Sequence, residues 1–282
     1  MHFGVNTWVW VSPLNDEELA RLAPRVAAFG FDWIELPIET PGDLDYARAA
    51  EVIHACGLRA SIAAVIGPDR DLIHPDPATR ANGAAYVRHC IDAAATIGAQ
   101  HVIGPLYSAV GRVWQASPEE RERDLTLLTD QLRELAVYAA TRDVVLCVEP
   151  LNRFETSFLN LATQGVELID RVGHPACQLM LDTFHMNIEE RSLGAAIRAA
   201  GPRLRHFHAC ENDRGTPGTG HVPWDDVAAA LRAIGYNGAV VIESFTAQVR
   251  SIARAAAIWR PLAPSQDALA RDGLAFLRRL LA

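Results

Sequence analysis

One alternation limits the fold more than any other feature of this chain: a short apolar run followed by a longer amphipathic one, repeated eight times. The strand-like runs lie near residues 2–8, 31–37, 58–66, 99–106, 144–149, 177–183, 203–209 and 238–244, with LRASIAAVI, VVLCVEP, CQLMLD and GAVVIES as examples. Apolar, β-branched-rich runs with little polar alternation suit parallel strands, which are covered on their outer face. The intervening segments carry helix signals. DEELARLAPRVAAFG opens on an acidic turn and stops at Gly30, and DYARAAEVIHACG stops at Gly57. SPEERERDLTLLTDQLRELAVYAATRD opens Ser-Pro with acidic residues in its first turn, and PWDDVAAALRAIG stops at Gly235. Eight β-then-α units in 282 residues predict a single α/β domain over 1–282, a closed (β/α)8 TIM barrel and not an open doubly wound sheet. No GxGxxG follows any strand, so a dinucleotide fold has no support.

Composition narrows the chemistry. The chain has no lysine; all 26 of its Lys/Arg residues are arginine. Schiff-base catalysis, covalent anchoring of pyridoxal phosphate and the P-loop all require a lysine and are excluded. Any carbonyl chemistry here must stabilise developing negative charge without an iminium. The formal net charge of −8 argues against a nucleic-acid partner, which needs a basic face. The cysteines Cys56, Cys90, Cys147, Cys177 and Cys210 are scattered, odd in number and form no CxxC, which predicts reduced thiols and neither a disulfide framework nor a structural zinc site. No run approaches a bilayer span, and MHFGVNTW lacks the charged-then-apolar pattern of a signal peptide, so the expectation is a cytoplasmic protein with no membrane partner.

Chemistry concentrates at the C-terminal ends of the last four strand-like runs. Run five ends in Glu149, run six in Asp182, run seven carries His208 and run eight ends in Glu243. A single carboxylate at a strand end is often a helix cap, and a lone strand histidine is often a core residue. Three unpaired carboxylates crowded on one rim would repel and be costly to desolvate, and a divalent cation removes that cost. Three carboxylates and one imidazole suit Mn2+, with Mg2+ or Co2+ as alternatives, and leave coordination positions for two substrate oxygens. Such a cation acts as a Lewis acid on an enolate oxygen, the role no lysine can fill in this chain. The long Gly/Pro-rich segment ENDRGTPGTGHVPW and the stretch 245–265 would lie at the same end of the barrel.

The motifs VEPLNRFE, LDTFHMN, HFHACENDRGTPGTGHVPW, VIESF and IWRPLA together resemble the D-tagatose 3-epimerase/D-allulose (psicose) 3-epimerase family of the xylose-isomerase-like barrels, and the resemblance covers essentially the whole chain. It implies a metal held by Glu149, Asp182, His208 and Glu243. Glu149 and Glu243 would also serve as the catalytic acid/base pair, inverting C3 of a free ketose through a cis-enediolate. It implies that Glu155, His185 and Arg214 contact the sugar near C1 to C3, and that the chain forms a homodimer or homotetramer. Smaller expectations attach to other positions. His206 shares a face with His208 and reads as a supporting or core residue. Trp8 and Trp114 either cover the sugar's apolar face or pack in the core. Glu35 is either a polar anchor or a cap, and His221 and Trp224 shape the loop after strand seven.

Rival readings on the same scaffold are a hydroxypyruvate or aldose–ketose isomerase and a metal-dependent dehydratase. From other classes come an abasic-site endonuclease, disfavoured by the acidic balance and the single four-residue site, and a non-catalytic sugar-binding barrel. No distinct phosphate cradle follows strands seven and eight, which favours unphosphorylated substrates.

Overall fold

A computed structural model describes residues 1–282. Eight parallel strands close in chain order: β1 (His2–Asn6), β2 (Trp33–Pro37), β3 (Arg59–Ala63), β4 (His101–Gly104), β5 (Val145–Val148), β6 (Cys177–Asp182), β7 (Leu204–His208) and β8 (Ala239–Ile242). Gly4 of β1 pairs with Trp33 of β2 on one side and Val241 of β8 on the other, so the sheet has no free edge. The predicted closed (β/α)8 barrel is therefore the observed architecture. The strands are shorter than the apolar runs that announce them, and in every case but β2 the end of the run leaves the ladder to form the rim. Glu149 and Glu243 lie one residue beyond β5 and β8.

Helices cover the outside: α1 (Asp16–Phe29), α2 (Tyr46–Ala55), α3 (Pro77–Ile97), α4 (Pro118–Ala140), α5 (Ala162–Val172), α6 (Thr183–Glu189), α7 (Leu193–Ala200), α8 (Trp224–Ala233), α9 (Arg250–Ala255) and α10 (Gln266–Leu281). Two connections carry a second helix: α6 and α7 both join β6 to β7, and the stretch 245–265 contains the short α9 before α10. The acidic turns read from sequence are true helix starts. Asn15 accepts the Glu18 amide at 2.9 Å ahead of Asp16, Glu17 and Glu18, whose charges favour the N-terminal end of α1. At α4, Ser117 Oγ accepts the Glu120 amide at 3.2 Å while Glu120 accepts the Ser117 amide at 2.8 Å, a reciprocal capping box with Pro118 in the first turn.

Alternation along the strands separates two interiors. Outward residues such as Val102, Leu146, Leu181, Phe207 and Val240 join a cluster of 71 buried apolar residues between barrel and helices. Each large side chain there contributes about 1.5–3 kcal/mol by leaving water. Inward residues Ala63, Ile103, Cys147 and Met180 form a separate small cluster with Trp8 and Phe245. Two residues further along each strand the same inward direction delivers Glu149 after Cys147, Asp182 after Met180 and Glu243 after Val241. β7 needs an irregularity to do this. Strict alternation would put Leu204, His206 and His208 on one face. Instead Leu179 pairs with Leu204 but Met180 pairs with His206, leaving Arg205 as the extra residue. Leu204 thus packs outward in the large apolar cluster, while His208 stands opposite Asp182.

Gly104 closes β4 with φ +126, and a Cβ there would meet the Ala64 carbonyl oxygen at 2.3 Å. Gly57 also has positive φ, +66, but opens onto free space. Gly104→Ala should therefore lose about 3 kcal/mol or more in urea unfolding, against about 1 kcal/mol for Gly57→Ala. Equal losses would show that the close approach at β4 is unimportant.

Candidate functional site

The C-terminal mouth of the barrel holds a cavity of about 400 Å³, a size suited to a small-molecule ligand. Glu149, Glu243, Glu155, His185 and Arg214 all line it, under a wall formed by Trp8 and Phe245. A larger space of about 570 Å³ lies at the opposite end, where the strands begin, and is lined by His2, Arg59 and Arg205. Active sites of such barrels are built at the C-terminal face, and the clustered acids are there too.

The four rim residues read from sequence are all buried, and they meet in two overlapping groups. Asp182, His208, Cys210 and Glu243 bring one ligand atom each within 4.8 Å of one another, and so do Glu149, Asp182 and His185. Asp182 belongs to both groups. His208 Nδ1 lies 3.7 Å from Glu243 Oε1 and 3.9 Å from Asp182 Oδ2, and this buried nitrogen has no hydrogen-bond partner. A nitrogen lone pair facing two carboxylates is repulsive unless a proton or a metal ion stands among them. The donor set therefore fits a divalent cation, and its hard oxygens favour an oxygen-seeking one.

Electrostatics show where compensation is weakest. Burial pushes the Glu149 carboxyl well above the usual range, and the charges of Asp182 and Glu243 add to that, against opposing pulls from His208 and Arg214. Burial raises Asp182 as well, with Arg214 and His208 working against it. Glu243 goes the other way: burial opposes its ionisation, but Arg214 and His208 outweigh burial and hold it below its ordinary value. Arg214 is the group the carboxylate count from sequence did not weigh as a counter-charge. Its Nη1 contacts Glu243 Oε2 directly and lies 3.5 Å from Asp182 Oδ2. Its guanidinium sits over Phe184 at 4.1 Å and Phe245 at 4.8 Å from the ring centres. The backbone that returns it to the mouth has φ 60, and Ser244 donates to its carbonyl at 2.6 Å.

His185 has a fixed tautomer. The Asn152 backbone amide donates to its Nδ1 at 3.1 Å, so Nδ1 is an acceptor and the proton of the neutral ring sits on Nε2. Burial, then Arg214 and His208, hold the ring neutral. Its Nε2–H faces Glu149 Oε1 at 3.7 Å, and with both groups carrying hydrogen the 3.3 Å approach of Arg214 Nη2 is a contact and not a hydrogen bond. The Asn152 side chain also donates to Glu155 Oε1 at 2.9 Å, so one residue orients two of the expected substrate contacts.

Asn152 and Cys210 escaped the sequence reading. Cys210 is a protonated thiol, pushed up by burial, whose single hydrogen has two acceptors in reach, Asp182 Oδ2 at 3.3 Å and the Glu243 carbonyl at 3.2 Å. The two tryptophan expectations separate. Trp8 packs tilted against Phe245, ring centres 5.5 Å apart, and lines the cavity, whereas Trp114 stacks on Phe158 at 6.0 Å outside it. Glu35 is a polar anchor and not a cap: it lies inside the barrel against His206 and His208. Trp224 does shape the loop after β7, donating at 2.9 Å to the buried Glu211, which also accepts the Gly218 and Val222 amides. His221 is exposed and bonds that loop through its backbone amide, which donates to Asn212.

Residues 23–280 match the model of the xylose isomerase-like TIM barrel family. The chain is 35% identical to D-psicose 3-epimerase of Agrobacterium fabrum over 97% of this chain and 98% of that one. It is 30% identical to L-ribulose 3-epimerase of Methylomonas sp., over 99% and 97% of the two chains. Among solved structures, D-psicose 3-epimerase with D-tagatose from Clostridium cellulolyticum H10 superposes with a TM-score of 0.91 at 31% identity, covering 100% of this chain and 99% of that one.

The raised Glu149 carboxyl carries a pH signature. A carboxyl whose folded value lies above its unfolded value stays protonated while the unfolded chain ionises, so stability falls as pH rises above the ordinary carboxylate range. In the metal-free chain at pH 7, Glu149→Gln should therefore raise the unfolding temperature. Mn2+ should raise it further in the parent chain, and by less in the variant. A variant less stable than the parent, with an undiminished Mn2+ response, would contradict this account of the site.

Proposed function

Because the chain belongs to the xylose isomerase-like TIM barrel family, and within it to the ketose 3-epimerases, we propose that it inverts C3 of free ketoses of the D-tagatose/D-fructose/D-allulose type. The observation that carries this reading is the pair Glu149 and Glu243, both buried at one cavity around Asp182 and His208. Inversion requires a base on each face of one carbon. Glu149 follows β5 and Glu243 follows β8, strands separated in the closed ring, so the two carboxylates approach the cavity from different sides.

Glu149, Asp182, His208 and Glu243 would hold a divalent cation, Mn2+ by preference, which when bound supplies Lewis-acid polarisation of the substrate carbonyl. One glutamate removes the C3 proton and the other returns a proton to the opposite face of the planar enediolate. The Nε2–H of His185 and the guanidinium of Arg214 are donors placed for sugar oxygens, with Glu155 as an acceptor for a hydroxyl. Trp8 and Phe245 cover the site and limit water at the carbanionic carbon. The whole chain, 1–282, acts as one catalytic unit in this reading. A homodimer or homotetramer and a cytoplasmic setting complete it. Phe154 and Trp259, each 75% exposed on loops of the C-terminal half, support self-association, and five unpaired cysteines support a reducing compartment.

Chelator treatment should abolish interconversion of D-fructose and D-allulose, and Mn2+ should restore it. In deuterated water the product should carry deuterium at C3. Glu243→Gln should lower kcat by about 10²- to 10⁴-fold. Appearance of an aldose without C3 inversion would point instead to an aldose–ketose isomerase.

A further inference from the structure

One buried charge in the barrel takes no part in the proposed reaction. Glu35 is wholly inside the barrel, and its carboxylate faces four polar groups. Oε1 accepts from Asn6 Nδ2 at 2.9 Å and lies 2.8 Å from His208 Nε2. Oε2 accepts from Ser61 Oγ at 2.7 Å and lies 2.9 Å from His206 Nε2, though off the line of a good hydrogen bond.

The proton positions follow by elimination. Asn6 Oδ1 accepts the Trp8 backbone amide at 2.8 Å, so its amide group is oriented with the NH2 toward Glu35. Ser61 Oγ accepts Trp33 Nε1–H at 2.9 Å, so its own hydrogen goes to Glu35. Both neighbours thus arrive as donors, and Glu35 can only accept. At 2.8 Å from Oε1, His208 Nε2 is one more group on a carboxylate whose other close contacts are donated to it. The Nε2 of His208 must then carry hydrogen. Its other nitrogen, Nδ1, is the one that faces Asp182 and Glu243.

We propose that Glu35 is a positioning residue: it fixes the ring and tautomer of His208 so that the Nδ1 lone pair is presented to a divalent cation. The inference rests on the metal-site reading above and adds to it the residue that aims one ligand. A carboxylate behind a ligating imidazole fixes the tautomer and raises the basicity of the coordinating nitrogen, and its loss typically weakens metal binding by about 10- to 100-fold. The link extends further. Asn6 joins the same carboxylate to the backbone amide of Trp8, a wall of the cavity, so one buried group ties a metal ligand to the surface that covers the substrate.

The test is calorimetric titration of chelator-treated full-length chain with Mn2+, comparing the parent with Glu35→Leu and Glu35→Gln, alongside thermal unfolding of each metal-free protein. Glutamine keeps an acceptor for His208, so Glu35→Gln should bind within a few-fold of the parent, while Glu35→Leu should bind about 10- to 100-fold more weakly. Equal binding by a folded Glu35→Leu overturns the role of Glu35 alone. Failure of the parent to bind Mn2+ takes down the metal site and this inference with it. If Glu35→Leu does not fold, nitrogen-15 NMR of the histidines in the metal-free parent decides, with His208→Asn identifying the signal. A hydrogen on Nε2 of His208 supports the proposal, and a neutral ring with hydrogen on Nδ1 overturns it.

Discussion

Everything at the mouth of this barrel answers to one constraint: four carboxylates, Glu35, Glu149, Asp182 and Glu243, are buried in the same few strand ends. Water cannot solvate them there, so each must be balanced by donors or cations built into the fold. Glu35 is balanced by His208, an amide and a hydroxyl. Glu243 is balanced by Arg214, and Asp182 by the Phe184 amide at 2.7 Å, the Cys210 thiol and the edge of the same guanidinium. Glu149 has the least help, since the nearby His185 is held neutral. The gradient of compensation runs from the inside of the barrel, where the charge is fully met by the fold, to the rim, where it is least complete.

The barrel was legible from the sequence because parallel strands covered by helices leave an apolar run, and helix termini leave caps and glycines, at a regular spacing. The rim was legible for a related reason. A polar residue closing an apolar run is conspicuous, and Glu149, Asp182, His208 and Glu243 all have that form. Glu35 instead interrupts the run WIELP at its centre, and it faces inward against His208 and not the cavity. Only the pairing of β2 with its neighbours distinguishes an anchor from a ligand, and that pairing is a property of the closed ring.

Other parts of the site left no local pattern. Arg214 reaches the carboxylates because a backbone turn at φ 60 and a hydrogen bond from Ser244 bring it back into the mouth. Its sequence neighbourhood reads as an ordinary Gly/Pro-rich loop. Asn152 acts through its side chain on Glu155 of its own motif and through its backbone on His185 of another, and the second role needs three-dimensional proximity. Trp8 and Trp114 looked alike along the chain, and their separation into a cavity wall and a stacking partner of Phe158 depends on which loops fold over the rim.

The extra residue at Arg205 has a consequence for how such a chain can change over time. It uncouples the foot of β7 from its tip, so that Leu204 answers to the helix layer and the two histidines to the barrel axis. Substitutions at the foot are then free to track the packing of neighbouring helices without rotating His208 away from Asp182. Losing or gaining one residue between His206 and His208 has no such freedom, because it would trade an imidazole for Phe207 at the mouth. Length variation among descendants of this chain should accumulate in its loops and leave that short stretch of strand alone.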